Sequence, residues 1–513
     1  MKLSDLIDAD LTFVSGPDPD TVAIGRLRFR AQDVGPGDLF AALPGTRADG
    51  HDFIDAAVRR GAAAVVIRAD RAGDIPRPPQ AALLTAPDTR KALARIAARF
   101  HGHPSRDLCL IGITGTNGKT TVAYLVDRIL SAAGLRTGVV GTIQYRYGDI
   151  VMDAPMTTPE APDLQRMLAE MRDAGVTHVI MEASSHALSP AMARLDGCRF
   201  DVGVFTNLSQ DHLDYHRDME TYWDCKKRLF TDHLKTGDRP GAAVINHDDP
   251  RGRTLAGELG GPVIAVGAGP DRAVGAEVRR NDLTGIAARI RTPAGPFDCR
   301  SALSGNHNVE NLLCAVGVGA ALGIPPAAMA AGIESVAAVP GRLERVPTGP
   351  DEGRTIFVDY AHTPDALKNV LTALRPLTRG RLIAVFGCGG DRDRDKRPKM
   401  GRIAASLSDL AVVTSDNPRS EPPLAIIEEI LPGVREGVGG RRTEDGGQRT
   451  DVVVEPDRRK AIHLAIEAAR PGDVVLIAGK GHETYQILGD RTIDFDDKQV
   501  ALEALSTPER KAG

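Results

Sequence analysis

Residues 108–134, "LCLIGITGTNGKTTVAYLVDRILSAAG", constrain the fold more than any other part of the chain. An apolar run too short for a helix leads into a glycine-rich turn. An amphipathic stretch with helical spacing follows and stops at a glycine. Strand, loop and helix in this order build a phosphate cradle. The backbone N–H groups from Gly115 through Thr116, Asn117, Gly118, Lys119 and Thr120 to Thr121 can wrap phosphate oxygens, with the Lys119 ammonium between them and the Thr120 hydroxyl toward Mg²⁺. The general pattern G-x-x-x-x-G-K-[ST] asks for glycine five residues before Gly118, yet Ile113 stands there. The loop is a variant form, and nucleotide binding is its expected use.

The same strand–loop alternation extends far on either side. "AAAVVIRA" follows the helical stretch "DFIDAAVRRG", and a helix over "TRKALARIAARF" leads to the polar segment "HGHPSRD". "HVIME" and "FDVGVFTNL" repeat the apolar run with a polar end, as do "TIFVDYAHTPDA", "RLIAVFGCGGDRDRDKRP", "LAVVTSDNPR" and "DVVLIAGKGHETY". The pattern predicts α/β architecture with doubly wound parallel sheets, whose ligands sit beyond the carboxyl ends of strands. At about 150 residues per domain, 513 residues suggest three. Breaks near 105 and 340 give units 1–105, 106–340 and 341–513. The glycine- and charge-rich segment 435–451 reads as a mobile surface insertion.

Composition serves mainly to exclude. A net charge of −4 offers nothing global to nucleic acid, and no run nears the roughly 18 apolar residues of a membrane span. The first residues lack a signal-peptide core, and the six cysteines contain no C-x-x-C pair. A reducing cytoplasm is the expected setting.

Other polar clusters sharpen the chemistry. Glu182 stands at a strand end, where a carboxylate can join Thr120 around Mg²⁺. In "FTNLSQDHLDYH", His212 and His216 lie four apart, but with no third ligand zinc is disfavoured. In "TYWDCKKRLF", helical spacing puts Tyr222, Lys226, Leu229 and Phe230 on one face and turns Lys227 and Arg228 to solvent. In "SDNPR", Arg419 can make a bidentate pair with a carboxylate, and Asp416 or a backbone carbonyl can take an ammonium.

The loop "GTNGKTT", with "MEASSH", "TNLSQDHLDYH" and "TYWDCKK", resembles the Mur ligases, ATP-dependent enzymes that add amino acids to the cell-wall precursor. The resemblance runs along essentially the whole chain. It implies a central P-loop-type ATP-binding domain, a small N-terminal α/β domain for the UDP-sugar and a Rossmann-like C-terminal domain for the amino acid. It also implies two Mg²⁺ ions held by Thr120, Glu182, His212 and Lys226. Lys226 would carry CO₂ as a carbamate (N6-carboxylysine). Lys119, Lys226, His212 and Glu182 become the catalytic set.

Further matches assign Asn308, Asn311, Arg342, Asp359 and His362 to ATP, with His307 where an aromatic is more usual. Thr46, Arg47, Ala48, Thr157, Thr158, Ser184 and Arg194 match the UDP-substrate contacts. A departure is "RAQ" at 30–32, where many members carry Asp-Ser-Arg. Arg392, Asp416, Asn417, Pro418, Arg419, Gly479 and Glu483 match the diaminopimelate contacts of the members that add this amino acid. The implied reaction joins meso-2,6-diaminopimelate to UDP-N-acetylmuramoyl-L-alanyl-D-glutamate through an acyl phosphate, in a cytoplasmic monomer whose partners are small molecules. Three readings compete with it: a lysine-adding Mur ligase, a folylpolyglutamate or cyanophycin synthetase, and a non-catalytic P-loop switch. The D-N-P-R segment speaks against the lysine-adding member.

Overall fold

The computed structural model describes residues 1–45, 48–76, 78–237, 240–269, 271–349, 353–439 and 450–506. Thr46 and Arg47 lie outside the described residues, as does most of the proposed surface insertion.

Three sheets carry the structure. The first has five strands in the order Thr12–Ser15, Ala82–Ala86, Ala64–Arg68, Leu39–Ala41 and Leu27–Arg28; only the Thr12–Ser15 pairing is antiparallel. The second has eight, running Val263–Val266, Ala242–Asn246, Val202–Phe205, Cys109–Thr114, His178–Glu182, Thr137–Val140, Gln144–Tyr147 and Ile150–Asp153. Its first six strands are parallel and its last two antiparallel. The third has six, Glu344–Arg345, Thr355–Asp359, Val474–Ala478, Leu382–Phe386, Leu410–Val413 and Asp451–Val454, parallel apart from Glu344–Arg345.

The expected parallel α/β design is present, with additions that strand–helix alternation did not announce. The hairpin Gln144–Tyr147/Ile150–Asp153 extends the second sheet. An antiparallel three-stranded sheet, Gly275–Asp282, Gly285–Arg291 and Phe297–Ser301, precedes the helix Asn306–Ala321. A separate hairpin pairs Tyr485–Leu488 with Arg491–Asp494. Antiparallel neighbours need only a short turn, so they insert without disturbing the crossover rhythm.

Why the phosphate-loop strand is central follows from its residues. Alternate side chains face opposite ways along a strand. Ile111 and Ile113 join one core with Val122, Leu125 and Ile129 of the helix Lys119–Ala132. Leu108 and Leu110 join another with Leu164, Leu168 and Phe200. Gly112 makes this possible: a Cβ there would lie 2.9 Å from both Leu229 and Phe200. A strand buried on both faces is apolar along its length, as "CLIGI" is before the polar Thr114 at its end. The third sheet repeats the logic, with Ile356 and Val358 in one core and Phe357 in the other. Among the described residues no helix is long and apolar enough to cross a membrane.

Candidate active site

The turn after Cys109–Thr114 is shaped by two glycines. Gly115 has φ +146°, and a Cβ on it would collide with the Thr206 hydroxyl; Gly118 has φ +87°, and a Cβ would collide with the Asn311 carboxamide. Both positions exclude side chains on backbone and space alike. Neighbouring strand ends brace the turn. Asn117 N donates to Asn207 Oδ1 (2.9 Å), and Thr206 Oγ1 donates to Asn117 O (2.6 Å).

Lys119 Nζ donates to the Gly115 and Thr116 carbonyls at 3.0 and 2.8 Å. Lys226, 1% exposed, donates to the same Gly115 carbonyl at 2.7 Å and stands 4.3 Å from the Tyr222 ring centroid. Two ammonium groups therefore crowd one acceptor. Burial first, then the Lys119 charge, holds the Lys226 pKa well below that of a free lysine. Burial also lowers Lys119, against the pull of Glu182 and Asp211. Lys227, the neighbour on the helix Met219–Thr231, turns outward and pairs with Glu258.

Glu182 ends its strand almost fully buried. It accepts from Thr120 Oγ1 (3.1 Å), Thr142 Oγ1 (3.0 Å) and the Thr142 N–H (2.9 Å). Thr142 reaches Thr157 at 3.1 Å, and Thr158 donates to the Glu182 carbonyl at 2.7 Å and to Ser184 Oγ at 3.2 Å. Arg194 binds Glu160 at 2.7 Å and the Thr158 carbonyl at 3.1 Å. Arg90, from the first unit, approaches the same Glu160 and donates to Pro44 O. Thr157, Thr158, Ser184 and Arg194 thus gather where the first and second units meet. Ala48 is exposed. The methyl of Ala31 packs in the core with Val34 and Phe40, while Arg30 and Gln32 are exposed.

His212 is exposed and lies 3.4 Å from Asp211. His216 instead is buried and bonded to Ser185 Oγ (2.9 Å); burial and the neighbouring His212 and Lys226 push its pKa down to about 4. Among the described residues no group of three or more His, Cys, Asp and Glu side chains converges to hold a metal. The hard oxygens of Thr120 and Glu182 are donors of the kind Mg²⁺ takes.

The third unit reaches into this region. Arg342 Nη2 donates to Thr120 Oγ1 (3.2 Å), and its guanidinium lies 4.7 Å from the Tyr360 ring centroid. Ser209 Oγ donates to Asp365 Oδ2 (2.6 Å), and Asn117 Nδ2 approaches the same oxygen at 3.4 Å. Asp359 accepts from the Leu343 and Ala361 N–H groups (2.7 and 2.8 Å); burial raises its pKa, opposed by Arg342 and these bonds. Asn308 binds Ser304 O and accepts from Asn311, orienting Asn311 against Gly118.

At the carboxyl ends of Leu410–Val413 and Val474–Ala478 lies a turn of a different kind. Asp416 is buried; its Oδ1 accepts from the Asn417 N–H, while its Oδ2 has no hydrogen-bond partner among the described residues. Gly479, φ +121°, leaves room for that oxygen. Arg419 (φ +53°) donates to Gly390 O at 2.8 Å, and its backbone pairs with the hairpin at Ile487 and Gly489. Arg392 lies beside it, both arginines sharing the space over Gly389. Beneath, Arg458 and Asp497, both fully buried, form a two-bond pair at 2.8 and 2.6 Å. Arg458 also ties the Ser415 and Ala478 carbonyls together.

One cleft of about 1200 Å³ is lined by Thr142, Thr157 and His212 on one side and by Arg392, Asp416, Arg419 and Glu483 on the other. Sequence reading missed Thr142, Ser209, Asp365, Lys480 and the Arg458–Asp497 pair. Lys480 alone had a signal, as a lysine between two glycines at a strand end. The others are ordinary polar residues whose partners lie far away in the chain.

The chain matches three family models: the Mur ligase family catalytic domain over residues 24–101, the Mur ligase middle domain over 113–319, and the Mur ligase glutamate ligase domain over 341–481. It is 50% identical over 481 residues, 92% of each chain, to the UDP-N-acetylmuramoyl-L-alanyl-D-glutamate–2,6-diaminopimelate ligase of Geobacter metallireducens. Identity to the ligase of the same name from Gloeobacter violaceus is 48% over 492 residues, 95% of each. A solved structure of a ligase of this name superposes with TM-score 0.67 at 31% identity, covering 98% of both chains.

Proposed function

The chain belongs to the Mur ligase family, and from that premise we propose that it joins meso-2,6-diaminopimelate to UDP-N-acetylmuramoyl-L-alanyl-D-glutamate, consuming ATP, in peptidoglycan synthesis. The observation that carries this reading is the cleft lined by Thr142 and Thr157, the former bonded to Glu182, and also by Asp416, Asn417 and Arg419.

The three units 1–105, 106–340 and 341–513 divide the work. Ala48, Thr157, Thr158, Ser184 and Arg194 hold the UDP-linked dipeptide, together with Thr46 and Arg47. The loop 115–121 with Asn308, Asn311, Arg342, Asp359 and His362 holds ATP. Arg419 and Arg392 take the distal carboxylate of diaminopimelate, and Asp416, whose Oδ2 has no hydrogen-bond partner among the described residues, takes an ammonium with Glu483. Asn417, Pro418 and Gly479 shape that pocket.

The γ-carboxylate oxygen of D-glutamate attacks the γ-phosphorus as the bond to ADP breaks. The diaminopimelate amine then attacks the acyl carbon, phosphate leaves with the C–O electron pair, and the nitrogen loses its proton. Lys119 holds positive charge against the transferring phosphoryl group. Thr120, Glu182, His212 and carbamylated Lys226 are the residues to hold two Mg²⁺ ions. Bound there, Mg²⁺ would draw charge from the phosphoryl oxygens. The depressed Lys226 pKa supports the carbamate, because only a neutral amine adds to CO₂. It works as a cytoplasmic monomer on small-molecule substrates.

The test is amine-dependent phosphate release from ATP, Mg²⁺ and the UDP-linked dipeptide. Diaminopimelate should support it and lysine should not. No release with diaminopimelate, or equal release with both, would overturn the reading.

A further inference from the structure

Lys480 is completely buried, yet nothing in the mechanism above uses it. Its Nζ donates to Asn417 Oδ1 at 3.2 Å and to Glu483 Oε2 at 3.1 Å. Asn417 Nδ2 donates to the same Glu483 oxygen at 2.9 Å, closing a triangle of three side chains. Asn417 Oδ1 also accepts from the Ile487 N–H at 3.0 Å, so both ends of the carboxamide are spoken for. The Tyr485 ring, 5.3 Å from Nζ, caps the ammonium on another side.

We infer that Lys480 is a specificity-determining positioning residue: it fixes Asn417 and Glu483 and supplies the buried positive charge that favours an amino acid ending in a zwitterion over one ending in a bare ammonium. The inference rests on the proposed placement of the amine substrate at the Asp416–Arg419 turn. Around that turn, above the mutually neutralised Arg458–Asp497 pair, stand Arg392, Arg419 and Lys480 as cations and Asp416 and Glu483 as carboxylates. The distal end of diaminopimelate is neutral overall, whereas that of lysine carries one positive charge. Removing a fixed positive charge changes the relative binding of the two, because only lysine interacts with it as a net charge. Glu483 freed from Lys480 would keep only its bond from Asn417 and offer lysine an uncompensated carboxylate.

The experiment compares kinetic constants of the whole enzyme, wild type against Lys480→Met, Lys480→Arg and Arg419→Ala, with diaminopimelate and lysine as acceptors. For Lys480→Met the KM for diaminopimelate should rise about tenfold, and the preference over lysine should narrow by a similar factor. KM for ATP and kcat should stay within about twofold. Lys480→Arg, which keeps the charge, should recover most of the preference. If Lys480→Met loses its fold, Lys480→Gln takes its place, since its amide can keep a bond to Asn417 without the charge. An unchanged preference in the uncharged variant, or equal losses in kcat and ATP binding, overturns the role of Lys480. Arg419→Ala separates the two levels. If it leaves the diaminopimelate KM unchanged, the placement of the amine site fails. If it raises that KM while Lys480→Met does not, only the inference about Lys480 fails.

Discussion

Removing the Lys226 side chain probes the centre of the site most directly. Lys226 and Lys119 donate to one carbonyl at 2.7 and 3.0 Å, so their nitrogens are at most about 6 Å apart. At an effective dielectric near 20, two ammonium groups at that separation repel by about 3 kcal/mol. Losing the Lys226 proton removes this repulsion, and adding CO₂ to the neutral amine then sets a −1 charge beside Lys119, an attraction of similar size, besides offering two oxygens to Mg²⁺. Lys226→Ala should therefore lower kcat by at least about a hundredfold, since metal-assisted charge stabilisation is worth several kcal/mol. A small carboxylic acid such as acetate should restore part of the rate by supplying oxygens in the space left. Wild-type enzyme held in CO₂-free buffer should lose activity slowly and regain it with bicarbonate. Phosphate release and the melting transition are read on the same samples. A folded Lys226→Ala protein with full activity, or one that no carboxylic acid rescues, would refute the carbamate.

Other outcomes follow from the same geometry. Arg419→Ala should raise the diaminopimelate KM at least about tenfold and leave the ATP KM nearly unchanged, because a lost bidentate pair strands the carboxylate; steady-state kinetics decide it. Gly115→Ala should abolish nucleotide binding measured by calorimetry, since the added methyl meets Thr206 and the backbone holds φ +146°. His233 is buried, its ring nitrogens have no hydrogen-bond partner among the described residues, and burial pushes its pKa down to about 3. The unfolded chain binds a proton near pH 6.5 that the folded chain refuses, so stability falls as pH drops below that value. Between pH 6.5 and 5 this amounts to about 2 kcal/mol, and His233→Phe should flatten the pH dependence of denaturant midpoints by that amount. An unchanged slope would mean that His233 is protonated in the native state.

The sequence by itself determined the α/β design, the glycine-rich turn between strand and helix at 115–118 and the inward lysine of the helix Met219–Thr231. These are local matters. Alternating apolar runs mark strands, 3.6-residue spacing marks a buried helix face, and a glycine loop between strand and helix admits few other uses. Sequence also marked the strand-end turn at Asp416–Arg419, because the ends of parallel strands are where ligands collect.

Only the tertiary structure decided which of these polar residues meet. The Lys226 ammonium and the Gly115 carbonyl lie 111 residues apart, Asp365 and Ser209 lie 156 apart, and Arg342 reaches Thr120 across 222. Strand order and register set such pairs, and periodicity reports whether a residue is buried without naming its partner. Lys480 and the Arg458–Asp497 pair show the same gap, since a buried charge is tolerated only where the fold brings its counter-charge. Local patterns fixed by steric and hydrophobic preference are readable along the chain, whereas electrostatic partnership depends on distances that exist only after the sheets have assembled.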